Sequence, residues 1–231
     1  VKSVTPPWIS KLSMMGEPIG PEEILKFPEG DSISFAQLLD DLSTTRVIFV
    51  GETHDQVEHH RIQVSVLQKL LKKGKDVVVA MEMFERSQQP VLDRWTQGML
   101  LEEEFFKETQ WETTWGMDLN LYMGILNEAR NRGLKVLGLN IERDLVRKVA
   151  QLGLDGLSQE DRKRLPDMDL TDKRHRQYIA SIYRGHQGGS AKDFEKFYQA
   201  QCLWDEAMAE TLSHFLQSSV GQGKTVLVFA G

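Results

Sequence analysis

Four short, valine-rich apolar runs constrain this chain more than any other feature: Arg46 to Gly51, Asp76 to Met83, Lys135 to Asn140 and Lys224 to Ala230. Each is continuous in apolar residues rather than alternating, which predicts strands covered on both faces by helices. The first two are separated by HHRIQVSVLQKLLKKG, a predicted helix. Asp55 with Glu58 three residues on has capping-box spacing at its start, and Gly74 closes it. The unit reads as βαβ, and right-handed crossovers then lead to a parallel sheet.

Residues 1 to 31, with Pro6, Pro7, Pro18, Pro21 and Pro28, read as an extended arm before one α/β domain over residues 32 to 231. Ser32 or Ser34 is placed to cap a helix in which Phe35, Leu38, Leu39 and Leu42 share a face. Residues 84 to 133 read as helical and carry Trp95, Trp111 and Trp115. Residues 141 to 221 also read as helical, ending in a long amphipathic segment from about Asp193 to Gln217. That stretch exceeds a simple crossover and is expected to form a helical insertion on the sheet.

The formal net charge of -6 leaves no basic stripe to displace phosphate counterions, so nucleic-acid binding is not expected. No apolar run approaches the ~20 residues that span a bilayer. Cys202 is the one cysteine, which excludes disulfides and multi-cysteine zinc sites within the chain.

Ligands of open α/β sheets bind beyond the carboxyl ends of the strands. The first strand ends in Gly51, Glu52 and His54, the second carries Glu82 near its end, and the third finishes at Asn140. Two carboxylates, an imidazole and a carboxamide are therefore expected on one rim. Glu82, inside VAMEMF, needs a partner because burying a lone charge costs several kcal/mol. His60 and Gln63 share a helix face, whereas His59 is expected to point into solvent. On the long helix, Gln201, Asp205 and Met208 form a stripe expected to roof the pocket.

Several motifs are absent. There is no H-E-x-x-H, HDQVEH is one residue too long for H-x-x-E-H, and no G-x-S-x-G is present. SSVGQGKT precedes a strand and lacks the first glycine of a phosphate loop.

Taken in order, VIFVGETHD, VVVAMEMFE, WETTWG, NEARNRGLKVLGLNI and FYQAQCLWDEAMAETL resemble the ChaN-like haem-binding lipoproteins from about Ser34 to Gly231. That family is kin to the erythromycin esterases and Tiki proteases, with which it shares a G-E-x-H motif after the first strand. The resemblance implies a three-layer α/β/α fold with a mainly parallel sheet. It also implies haem held cofacially in a ligand-dependent homodimer, by tyrosine and histidine contacts, in iron or haem acquisition or storage. A cell-envelope setting, lipid-anchored or periplasmic, follows, with the anchor outside this chain. A glycine-rich turn followed by histidine is expected just after Gly231.

The tyrosines are Tyr122, Tyr178, Tyr183 and Tyr198. Tyr122 is the first choice for the iron, because it lies in the matched W-x-x-x-W-G-x-x-x-x-x-Y segment, and His54 is the expected histidine contact. Two other readings stay open. One is a hydrolase in which Glu52, His54 and Glu82 hold a divalent metal ion or position water; the other is a non-catalytic scaffold.

Overall fold

The computed structural model describes residues 24–185 and 191–231. Within them the elements run β1 (Ile24–Lys26), β2 (Asp31–Ile33), α1 (Phe35–Asp41), β3 (Val47–Gly51), α2 (Val57–Lys72), β4 (Val77–Glu85) and α3 (Gln89–Thr96). Then follow α4 (Glu102–Glu108), α5 (Trp111–Thr114), α6 (Asn120–Arg132), β5 (Val136–Asn140), α7 (Arg143–Leu152), α8 (Gln159–Arg162), α9 (Lys173–Gly185), α10 (Ala191–Gln217) and β6 (Thr225–Ala230).

The four apolar runs are the four strands of one sheet, ordered β3-β6-β4-β5, and every pairing is parallel. Period-two alternation serves both faces. Val77, Val79, Met81, Leu227 and Phe229 meet Leu67 and Leu70 of α2, Leu92 of α3 and Ile125 of α6. Val78, Ala80, Val226 and Val228 meet Leu212 and Phe215 of α10. Val79, Ala80 and Met81 have no exposed surface, and burying each Val- or Met-sized side chain contributes roughly 1.5–3 kcal/mol. The result is a three-layer α/β/α arrangement in which the end of α10 is itself an outer layer.

The expected arm lies outside the described residues as far as residue 23; its remainder forms β1, which pairs antiparallel with β2. Ser34 caps α1, its hydroxyl accepting from Gln37 N–H, and Gln37 returns the bond to the Ser34 backbone. The start of α2 departs from expectation. Gln56 is the N-cap, without a side-chain bond; Asp55 accepts from the Gln56 amide, and Glu58 pairs with Arg61. The loop Thr53 to Gln56 makes its own turn, so the helix begins too late for Asp55 to cap it. At the other end Gly74 has φ +78° and the Lys75 N–H reaches back to the Leu70 carbonyl, as a left-handed helix stop requires.

The register between β4 and β5 shifts between Met81 and Glu85. Such an irregularity bends the strand and re-aims its side chains. It also brings the Glu85 carbonyl oxygen to 2.5 Å from where a Cβ on Gly138 would stand, so only glycine fits there. Elsewhere α7 and the first half of α10 enclose Leu145, Val149, Ala200 and Leu203, while α9 packs on α10 around Ile179, Tyr198 and Cys202. No helix among the described residues is long and apolar enough to cross a membrane.

Candidate functional site

Because all four strands point the same way, Glu52, Glu82, Asn140 and Gly231 emerge on one rim. The centre of that rim is Glu52, whose side chain is completely enclosed. Its Oε1 accepts from the Tyr122 hydroxyl at 2.8 Å and faces His54 Nδ1 at 2.8 Å, and its Oε2 accepts from Gln63 Nε2 at 2.7 Å. Buried His60 lies 3.7 Å from the same Oε2. The His60 ring nitrogens lie 3.1 Å from Gln63 Oε1 and 3.1 Å from the His54 carbonyl oxygen, which fixes the ring between α2 and the loop after β3. A buried carboxylate is tolerable here because donors surround it.

His54 is held by Glu52 through Nδ1 and by Trp115, whose ring meets it edge-on at 4.8 Å. With Nδ1 engaged, Nε2 is the nitrogen left for chemistry, and about a quarter of the side chain (28%) remains exposed. Trp115 in turn donates through Nε1 to the Tyr122 hydroxyl at 3.2 Å. Burial, and then the Glu52 charge, push the Tyr122 phenol well above its ordinary value, so it serves as a hydrogen-bond donor.

A cavity of about 380 Å³ opens beside this network. His54, Glu82, Glu85, Asn140, Arg143 and Gln201 supply its polar lining, and Trp115, Trp204, Met83 and Met117 much of the apolar part. One oxygen of Glu82 accepts from Gly231 N–H at 2.9 Å. Burial pushes the Glu82 carboxyl above the usual carboxylate range, against the Gly231 bond and His54. Asn140 is buried, donating to the Glu82 carbonyl and accepting from Ile141 N–H. Gly231 has no room for a side chain: an added Cβ would stand 2.8 Å from His54 Cε1.

The rim thus brings together Glu52, His54, His60, Glu82, Asn140 and Gln201. It does not include the rest of the α10 stripe. Asp205 is paired with His175 Nε2 at 3.0 Å, and Met208 packs on the apolar core under α10. The helix turns Trp204 toward the cavity instead. Tyr122 is wholly enclosed, and its oxygen faces Glu52 rather than an opening. His59 does not simply point into solvent: its Nδ1 accepts from Thr53 N–H at 2.8 Å.

Among the described residues no three His, Cys, Asp or Glu side chains gather as a metal site. Glu52 already has its oxygens engaged by Tyr122, His54 and Gln63, which removes it from the Glu52, His54 and Glu82 metal set. Sequence reasoning missed Glu85 and Arg143. Glu85 Oε1 accepts from Arg143 N–H, while Arg143 Nη1 donates to the Thr113 and Thr114 carbonyls, tying β4, α5 and α7 together.

Residues 38–231 match the family model described as haem-binding uptake, Tiki superfamily, ChaN. The fold is similar to a solved structure of cofacial heme binding to ChaN of Campylobacter jejuni, at 23% identity and a TM-score of 0.70, covering 90% of this chain and 79% of that one. It is also similar to a mutant of the erythromycin esterase EreC in its open conformation, at 11% identity and a TM-score of 0.50, covering 84% of this chain and 63% of that one. No curated protein matches the chain.

Proposed function

The chain belongs to the haem-binding ChaN family of the Tiki superfamily, and from that premise we propose that it binds ferric haem through Tyr178 on the open face of α9. The observation that carries this reading is tyrosine exposure. Tyr122 and Tyr198 are fully buried, and the Tyr183 ring lies 5.4 Å from Phe194 and 5.1 Å from Phe197, whereas Tyr178 is 61% exposed. Phenolate is a known axial ligand of haem iron. Ile182, one turn on and partly exposed, offers apolar surface to a porphyrin edge. The similar Campylobacter structure carries haem cofacially, which supports a pair of protomers stacked through this face.

On this reading the protein serves haem or iron acquisition or storage in the cell envelope, held there by a lipid anchor or free in the periplasm. Haemin titration tests it. A saturable Soret shift with a phenolate charge-transfer band is expected, and Tyr178→Phe should abolish the band while Tyr122→Phe keeps it. Sedimentation should show dimers with haemin and monomers without. A nonsaturable haemin response from the wild-type protein would sink the proposal.

The Glu52–His54 pair favours a second reading at a different place. In the rim cavity His54 Nε2 would take a proton from water as the water oxygen attacks an acyl carbon. Glu82, whose carboxyl burial favours in the acid form, would supply a proton to the leaving oxygen as that bond breaks. Turnover of p-nitrophenyl acetate that His54→Ala removes is the expected sign; hydrolysis no faster than in buffer eliminates this reading.

A further inference from the structure

We infer that Arg174 anchors the haem carboxylates, which makes the α9 face selective for iron porphyrins with free propionates. This rests on the haem reading above. Arg174, Tyr178 and Ile182 are spaced four residues apart, so they form one stripe along α9. All three are exposed. The stripe presents, in order, a cation, a phenol and an aliphatic group. A haem lying along it with iron at Tyr178 has its charged edge at the Arg174 end and its apolar edge at Ile182. Four residues of helix rise span about 6 Å, and an extended arginine side chain reaches further toward the porphyrin rim.

The neighbouring charges leave Arg174 available. Arg176 points to another face, paired with Glu195 and lying over the Phe194 and Tyr198 rings. His175 is held by Asp205. Asp172, the nearest acid in sequence, accepts through Oδ1 from the Arg174 and His175 backbone N–H groups at 2.7 and 3.1 Å. Among the described residues the Arg174 guanidinium itself has no ion-pair partner. Carboxylates at this end also meet the positive end of the α9 dipole. Lys173 carries the same charge about 100° around the helix, off the stripe, and serves as a control.

The test compares haemin with its propionate dimethyl ester, both delivered in the same detergent, by Soret titration. Wild type should prefer haemin by roughly three- to tenfold, the range for an exposed charge-assisted contact. Arg174→Ala should bind both alike, Lys173→Ala should keep the preference, and Arg174→Lys should restore part of it. If Arg174→Ala keeps the full preference, or wild type shows none, the anchor is wrong while the haem reading stands, provided Tyr178→Phe still weakens binding. Should wild type bind neither porphyrin saturably, the haem reading and the anchor fall together.

Discussion

The Tyr122 hydroxyl donates to Glu52 Oε1 at 2.8 Å, joining α6 to the end of β3 across 70 residues of chain. Removing that hydroxyl leaves a buried carboxylate with one donor fewer and the Trp115 indole N–H without its acceptor. Tyr122→Phe should therefore destabilise the protein by about 1–3 kcal/mol, read as a lower urea midpoint with an unchanged slope. An unaltered midpoint would show that water replaces the phenol at no cost and that the network is less closed than described.

Glu82 makes stability depend on pH. Burial raises its folded value above that of the unfolded chain, so the native state binds the proton more tightly. Stability from this group is present at acid pH and is lost as pH rises past the ordinary carboxylate value through the folded one. Glu82→Gln should melt higher than wild type at neutral pH, with the two curves converging near about pH 4. A constant gap across the range contradicts the assignment.

Gly138 is a steric test of the β4 irregularity. Its backbone is not left-handed, so alanine carries no conformational penalty, only the clash of a Cβ standing 2.5 Å from the Glu85 carbonyl oxygen. Gly138→Ala should cost about 1–3 kcal/mol, as overpacking does, and disturb Glu82 and Glu85 together. Thermal melting with the wild-type midpoint would mean that β4 passes farther from β5.

His175 bridges Asp205 at 3.0 Å and Cys202 Sγ at 3.8 Å, fastening α9 to α10. The pair is partly exposed, so His175→Ala should cost no more than about 1 kcal/mol globally. Its effect should instead be local. Amide exchange is expected to quicken along α9 and stay slow in the sheet, and uniform protection would contradict the fastening role.

The strands were legible because their apolar runs face helices on both sides, a demand that leaves a continuous signature in valine. Glu52, His54, Glu82 and Asn140 were legible for a related reason: parallel strands deliver their ends to one edge. Tyr122 was misleading. Its motif neighbours pointed to a ligand face, but its oxygen is engaged by a residue far away in sequence. Asp205 was misjudged similarly, since its partner His175 sits on α9 and not on its own helix. Arg143 lies in no recognisable pattern, and Glu85, though it ends the VVVAMEMFE run, carries no local sign of its partner. They meet because β4 shifts register, and register is not written in any short stretch.

The position of β6 bears on how the chain is made. It lies between β3 and β4, bonded to both, although it is the last strand of the described residues. A nascent chain that has emerged only through α10 therefore has β3 on one side and the β4–β5 pair on the other, tethered through α2 but with no strand between them. Both pieces present unpaired strand edges. Closure of the sheet waits for residues 225–230 to leave the ribosome. Until then those edges stay open to wrong pairing for longer than in a fold whose strands pair in the order of synthesis.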